Sequence, residues 1–279
     1  MSRRRIELLV LGILIIAIIL YAGTGIVYSG VLVASSERTL NNVVSHQNTL
    51  NTSFNAIDSE VRALNSSGNF NPQQEVTLVD KSIANSQLAM QTINQDDASL
   101  VSTEGQLNGS RWLTAVGRSS IDRESARLGH ARNALAAART IAADEALDGL
   151  FWHSLYSALG DLDLLSNQSS SGDLTAAKST LATMKSDVDQ AVQRSAAPAL
   201  PSDLHNLMVD MQTFAADFGK QLDAQIAGDD ASVAQYQASL DADRTRLGTY
   251  DIDKIGTAID AFYRPLLDRF NSEIAAATA

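Results

Sequence analysis

Residues 40–64 read LNNVVSHQNTLNTSFNAIDSEVRAL. Leu40, Val43, Leu50, Phe54, Ile57, Val61 and Leu64 follow one another in steps of three and four, with Gln47 in the single gap. That spacing puts one apolar seam along a helix and is the a/d pattern of heptad pairing. As a helix the stretch makes a rod about 37 Å long. Asn65-Ser66-Ser67-Gly68-Asn69 then breaks it, and Asn71-Pro72 predicts a new start with Pro in the first turn. The next segment keeps the register: Val76, Val79, Ile83, Met90, Ile93, Leu100 and Leu107 fall on the same steps, with Ser86, Asp97 and Glu104 at the remaining seam positions. Two heptad helices joined by a short loop predict an antiparallel hairpin. Asp97 and Glu104 read in two ways, as a seam turned towards water or as a buried acidic site.

Upstream, Arg3, Arg4 and Arg5 precede LLVLGILIIAIILYA at Leu8–Ala22, and apolar and small residues continue to Ala34. About 20 apolar residues span a bilayer. Arginines kept on the cytoplasmic side direct the rest of the chain outwards. Ala22-Gly23-Thr24 and Leu32-Val33-Ala34 are poor sites for a signal peptidase, so the expectation is an uncleaved anchor. The expected organisation is a cytoplasmic stub at residues 1–5, a transmembrane anchor at 6–34, a membrane-proximal helical hairpin or stalk at 35–109 and a helical bundle at 110–279. The localisation expected is the cell membrane, crossed once, with the N-terminus cytoplasmic and the C-terminal domain extracytoplasmic.

Downstream, the pattern stays helical. Residues 111–143 are rich in Ala and Arg, and Gly149 reads as an interruption before LFWHSLYSALGDLDLL. Asn167–Gly172 reads as a Ser-rich loop. Asp173 is a natural N-cap for a helix to about Ser195. Pro198 and Pro201 bracket a turn, and Gly228-Asp229 makes another. Further helices are expected from Ser202 or Asp203 to Ala227, to Leu247, and from Asp251 to Ala276. The composition agrees: 45% of the 279 residues are hydrophobic, only 5% are aromatic and 4 are Pro, which favours helices over a β-sandwich. The fold class read from the sequence is all-α.

Several function classes fall away. With no cysteine there are no disulfides, thiol nucleophiles or cysteine-ligated metals. A net charge of −11 argues against a nucleic-acid partner. His46, His130, His153 and His205 never pair at i+3 or i+4, and no H-E-x-x-H, G-x-S-x-G, S-x-x-K or phosphate-cradling glycine motif occurs. Four Asp-x-Asp pairs, such as Asp161/Asp163 and Asp187/Asp189, resemble the metal-holding pairs of glycosyltransferases. Inside a helix, however, i and i+2 point to different faces. The expectation is therefore a non-enzyme with no catalytic residue, cofactor or metal.

Charge segregation is the one distinctive feature. Residues 110–143 carry six arginines against Asp122 and Glu124, whereas residues 144–279 carry 21 acids against nine bases. Arg111, Arg118, Arg132 and Arg139 are multiples of seven apart and form one stripe of a helix. The stripe is the candidate anion- or partner-binding site. Its competing reading is internal pairing with the acidic helices of the same chain, which the sequence favours.

Membrane-proximal helical hairpins of this kind resemble the extracellular bundles of chemoreceptor-type sensors. The leading expectation is a membrane-anchored protein with a binding, scaffolding or spacing role at the cell surface. Its partners would be membrane lipid, through the anchor, and a protein in or on the envelope, and the heptad segments offer a route to oligomers. The alternative implied by the resemblance is a sensory module signalling through a separate partner.

Overall fold

The computed structural model describes residues 34–43, 45, 46, 49, 52, 56, 59, 71–109 and 118–278. Among them are seven helices and no strand, so the chain is all-α. Helix α1 comprises the described residues between 34 and 59. It is followed by α2 (Pro72–Gly109), α3 (Arg118–Ser170), α4 (Leu174–Arg194), α5 (Ser202–Ala227), α6 (Asp230–Leu247) and α7 (Ile252–Thr278). No described helix is long and apolar enough to cross a membrane. Residues 6–33 of the expected anchor, the expected break at 65–69 and seam residues Leu50, Phe54, Ile57, Val61 and Leu64 lie outside the described residues.

The helix ends follow local chemistry. Asn71 Oδ1 accepts from the backbone N–H groups of Gln73 and Gln74, so Asn71 caps α2 and Pro72 occupies the first turn, where its missing donor costs nothing. Asp173 caps α4 by accepting from Ala176 N, and Asp229 caps α6 by accepting from Ser232 N. Gly172 and Gly228 sit at φ 80° and 70° in the turns that precede those caps. A side chain resists this left-handed backbone, whereas glycine accepts it.

Two expected interruptions are helical instead. Helix α3 runs unbroken through Gly149 and on to Ser170, so neither Gly149 nor Asn167–Ser170 is a loop. At Gly149 the reason is close packing. A Cβ there would stand 2.5 Å from Ile83 Cγ1 of α2, so glycine permits the approach of the two helices. The cost of glycine inside a helix is about 1 kcal/mol, small enough for this packing and the surrounding turns to outweigh it.

Contacts divide the chain into two units. The first takes residues 1–60, 84–145 and 260–279, and the second takes 61–83 and 146–259. The division cuts through α2, α3 and α7.

The first unit packs α1 against α2 and α3 through Leu40, Val43, Ile93, Leu100, Leu107 and Leu128. Thr39 meets Thr103, and His46 meets Asp96, so α1 and α2 run in opposite directions. A second face of α3, Ala134 and Ala137, receives Phe270 and Ile274 of α7. The buried stripe of α2 here differs from the apolar seam in the sequence. Ser86, Ile93, Leu100 and Leu107 are buried as the spacing predicts, but the intervening buried positions are Ala89, Asp96 and Thr103. Each stands one residue before Met90, Asp97 and Glu104, which are half-buried. A helix with two neighbours covers a wider stripe than a two-stranded seam, and the next position joins it.

The second unit rests on larger side chains. α4 buries Ala177, Leu181, Met184, Val188 and Ala191 along one face. That face packs on α5, which buries Leu204, Met208, Phe214, Phe218 and Leu222 among others, and α5 also packs on α6. Lys178 of α4 reaches Asp223 of α5 at 2.6 Å, and Arg246 of α6 reaches Asp210 of α5 at 3.2 Å. With Gln221 donating to Gln237, these contacts make α4, α5 and α6 alternate in direction.

Candidate functional site

Of the arginine stripe, Arg132 and Arg139 are described, whereas Arg111 and the side chain of Arg118 lie outside the described residues. Arg132 bridges two carboxylates of α2, with Nε at 3.0 Å from Asp97 and Nη1 at 3.0 Å from Glu104. Arg139 Nη2 approaches the other oxygen of Asp97 at 3.4 Å. Arginines seven apart on α3 thus meet acids seven apart on an antiparallel α2. The partners come from α2, not from the acidic residues 144–279 favoured by the charge counts. A heptad spacing fixes which face of α3 the arginines share, and that face lies against α2. Asp97 and Glu104 are neither turned fully to water nor buried, since about a quarter of each side chain remains exposed. The guanidinium of Arg132 is held above its ordinary range, chiefly by the hydrogen bond to Asp97, with burial opposing and Glu104 adding to it.

Beside this network lies a groove of about 450 Å³, lined by Asp97, Gly129, His130, Arg132, Asn133 and Arg139 among others. Arg139 Nε is buried there without a hydrogen-bond partner. Two arginines face two carboxylates, so an incoming anion must compete with Asp97 and Glu104 for the same donors. Arg127, off the stripe, donates to Glu124 at 2.8 Å and to the carbonyl of Ala277 near the end of α7 at 2.8 Å.

The four histidines are distributed rather than gathered. His46 meets Asp96, His130 meets Glu273 and His153 meets Asp80, each at 2.7 Å, while His205 pairs with Ser195 at 2.8 Å. Three of these contacts tie one helix to another through a carboxylate. The carboxyl of Glu273 is held below its ordinary range, first by the hydrogen bond with His130. Among the described residues no three His, Asp or Glu side chains cluster as a metal ion requires.

The Asp-x-Asp pairs behave as helical geometry dictates. Asp243 is buried and Asp241 exposed, and Asp251 caps α7 by accepting from Lys254 N. Asp161 of α3 and Asp187 of α4 lie near enough for the charge of Asp187 to act on Asp161. Burial pushes both carboxyls up, and the Asp187 charge adds to the effect on Asp161, whose Oδ2 has no hydrogen-bond partner.

A larger groove, of about 750 Å³, runs between α3, α5 and α6 of the second unit. Leu155, Leu159, Met211, Phe214, Phe218 and Leu247 form its apolar wall. Ser166 and Ser170 of α3, Gln221 and Gln225 of α5 and Gln237 of α6 line it as well. The volume falls inside the range of about 300–1,000 Å³ typical of ligand sites. Arg244 lies over the Phe214 ring at 5.9 Å while bonded to Asp241 at 2.8 Å. The sequence carries little signal for this groove, because its apolar residues have the spacing of ordinary core positions. Only the three glutamines, in register with apolar stripes, distinguish it. Compared with family models, with curated proteins and with solved structures, the chain matches none.

Proposed function

We propose that the chain is a single-pass, membrane-anchored protein whose helical region stands outside the membrane as an antiparallel heptad hairpin and up-down bundle, and whose role there is non-catalytic binding, scaffolding or spacing. Three arginines ahead of the apolar run Leu8–Ala22, with apolar and small residues continuing to Ala34, support the anchor and its direction. The observation that carries a binding role is the large apolar groove of the second unit, with its few polar groups at defined positions. The arginine stripe is the second candidate surface, for an anionic or protein partner that displaces Asp97 or Glu104 from Arg132 and Arg139.

A sensory role through a separate partner is the second reading. Helix α3 favours it, because one unbroken helix carries both groove residues and the arginines of the stripe. Anchoring is tested on the full chain in cells. Carbonate-washed membranes should retain it, and protease added to intact cells should digest residues beyond 34. A soluble, N-terminally shortened product would overturn the anchor, and protection from protease would overturn the orientation.

A further inference from the structure

We infer that the groove of the second unit holds an amphiphile: an apolar chain bearing a hydroxyl-rich head without negative charge. The inference deepens the binding role proposed above and is independent of the topology.

Polarity changes along the groove in a definite direction. On α5 the lining residues are apolar at Leu207, Met211, Phe214 and Phe218, then become Gln221 and Gln225. On α3 they are apolar from Leu155 to Leu162, then become Asp163, Ser166 and Ser170. The helices align these changes. A three-residue turn joins the end of α3 to the start of α4, and Lys178 in the first turns of α4 touches Asp223 near the end of α5. The serines and glutamines therefore share one end. Helix α6 runs the other way, and its Gln237, bonded to Gln221, joins the polar end while Leu247 joins the apolar end. From Leu207 to Gln225 the rise is about 27 Å.

The charges select the head. Hydroxyls and amides dominate the polar end, and the one ionic group there is the Asp163 carboxylate, which repels an anion. Arg244, the cation of the groove, already bonds Asp241 and covers Phe214. Gln225 lines this end half-buried, and its Oε1 accepts no hydrogen bond, so its amide is free to turn towards a hydroxyl of the head. A docked peptide helix fits less well, because it requires apolar anchors along its whole length.

The test uses the full chain in bilayer discs and a dodecyl glucoside carrying a photoreactive group at the end of its alkyl chain. Crosslinks should map to residues 155–162 and 207–218, should saturate, and should be competed by unlabelled dodecyl glucoside but not by glucose or dodecyl sulfate. Leu159→Trp, which fills the groove from its half-buried wall, should lower crosslinking there about tenfold with helicity unchanged. Gln225→Leu, which replaces a half-buried amide, should abolish the preference for the glucoside over dodecanol. Crosslinks spread evenly over the chain or confined to residues 6–34 would overturn the proposal. So would equal competition by dodecyl sulfate, or displacement by an amphipathic helical peptide without glucoside binding. Anchoring and orientation are read separately, so failure of either leaves this result interpretable.

Discussion

Both units tie their helices together with polar or ionic links, but they differ in the bulk they bury. In the first, α1, α2, α3 and α7 meet through alanine-rich faces and through polar or ionic links: Thr39 with Thr103, His46 with Asp96, Arg132 with Asp97 and Glu104, and His130 with Glu273. In the second, bulk does more of the work. Among the described residues, the twelve largest fully buried side chains include Leu100, Leu107 and Leu128 of the first unit, and the other nine belong to the second. Non-directional burial stabilises by about 1.5–3 kcal/mol for each large apolar side chain, whereas partly exposed ion pairs contribute about 0–1 kcal/mol. The ionic links of the first unit therefore specify which helix faces which, and how the antiparallel helices register, more than they add stability. The second unit has stability concentrated in its core and leaves an apolar wall facing a groove.

Substitutions that attack each mode should separate them. The largest effect is expected from Phe151→Ala in the second unit, where the ring is fully buried and stands edge-on to Trp152 at 5.1 Å. A loss of about 3–5 kcal/mol is expected in urea unfolding of the full chain. A loss below about 1 kcal/mol would mean that the second unit does not depend on bulk.

Gly149→Ala comes next. Its Cβ meets Ile83, and forcing the two helices apart should cost about 1–3 kcal/mol in the same assay. A gain in stability, as expected of an ordinary helical glycine, would break the close-approach argument.

Arg132→Gln should cost less than about 1 kcal/mol, because 38% of its side chain is exposed, and part of that effect should vanish in high salt. A loss as large as that of Phe151→Ala would show that the first unit relies on its ion pairs for stability and would erase the contrast.

The smallest effect concerns pH, and here the units should respond with opposite sign. The carboxyl of Asp161 titrates higher in the folded state than in the unfolded chain. Its contribution therefore favours folding below its raised pKa and is lost as pH rises through it. Replacing it by Asn should raise the melting temperature at neutral pH and flatten this part of the pH dependence. Glu273 titrates lower when folded, so its pairing with His130 stabilises above the ordinary glutamate range and is lost as pH falls through it. Glu273→Gln should accordingly lower the melting temperature at neutral pH and have no effect once the carboxyl is protonated in both states. Changes of the same sign at neutral pH would contradict the assignment.

Much of the fold is local chemistry and can be read from the sequence. Asn71-Pro72, Asp173, Gly228-Asp229 and Asp251 mark helix ends because capping and left-handed turns involve residues only a few positions apart. The helix class follows from a composition poor in aromatics and proline. The arginine stripe follows from spacing alone, since residues seven apart return to the same face of a helix. What the spacing leaves open is which carboxylates answer the stripe: residues 144–279 offer more acids, yet Asp97 and Glu104 on α2 are the ones in reach of Arg132 and Arg139.

Tertiary structure decided the rest. It passed α3 straight through Gly149, because the missing Cβ matters only when Ile83 arrives from another helix. It moved burial from Met90, Asp97 and Glu104 to Ala89, Asp96 and Thr103, because the stripe that a helix buries depends on how many neighbours it has. The groove between α3, α5 and α6 is a tertiary property for the same reason. Apolar spacing says that a face wants to leave water, but only the placement of the surrounding helices determines whether another helix covers it or a groove is left against it.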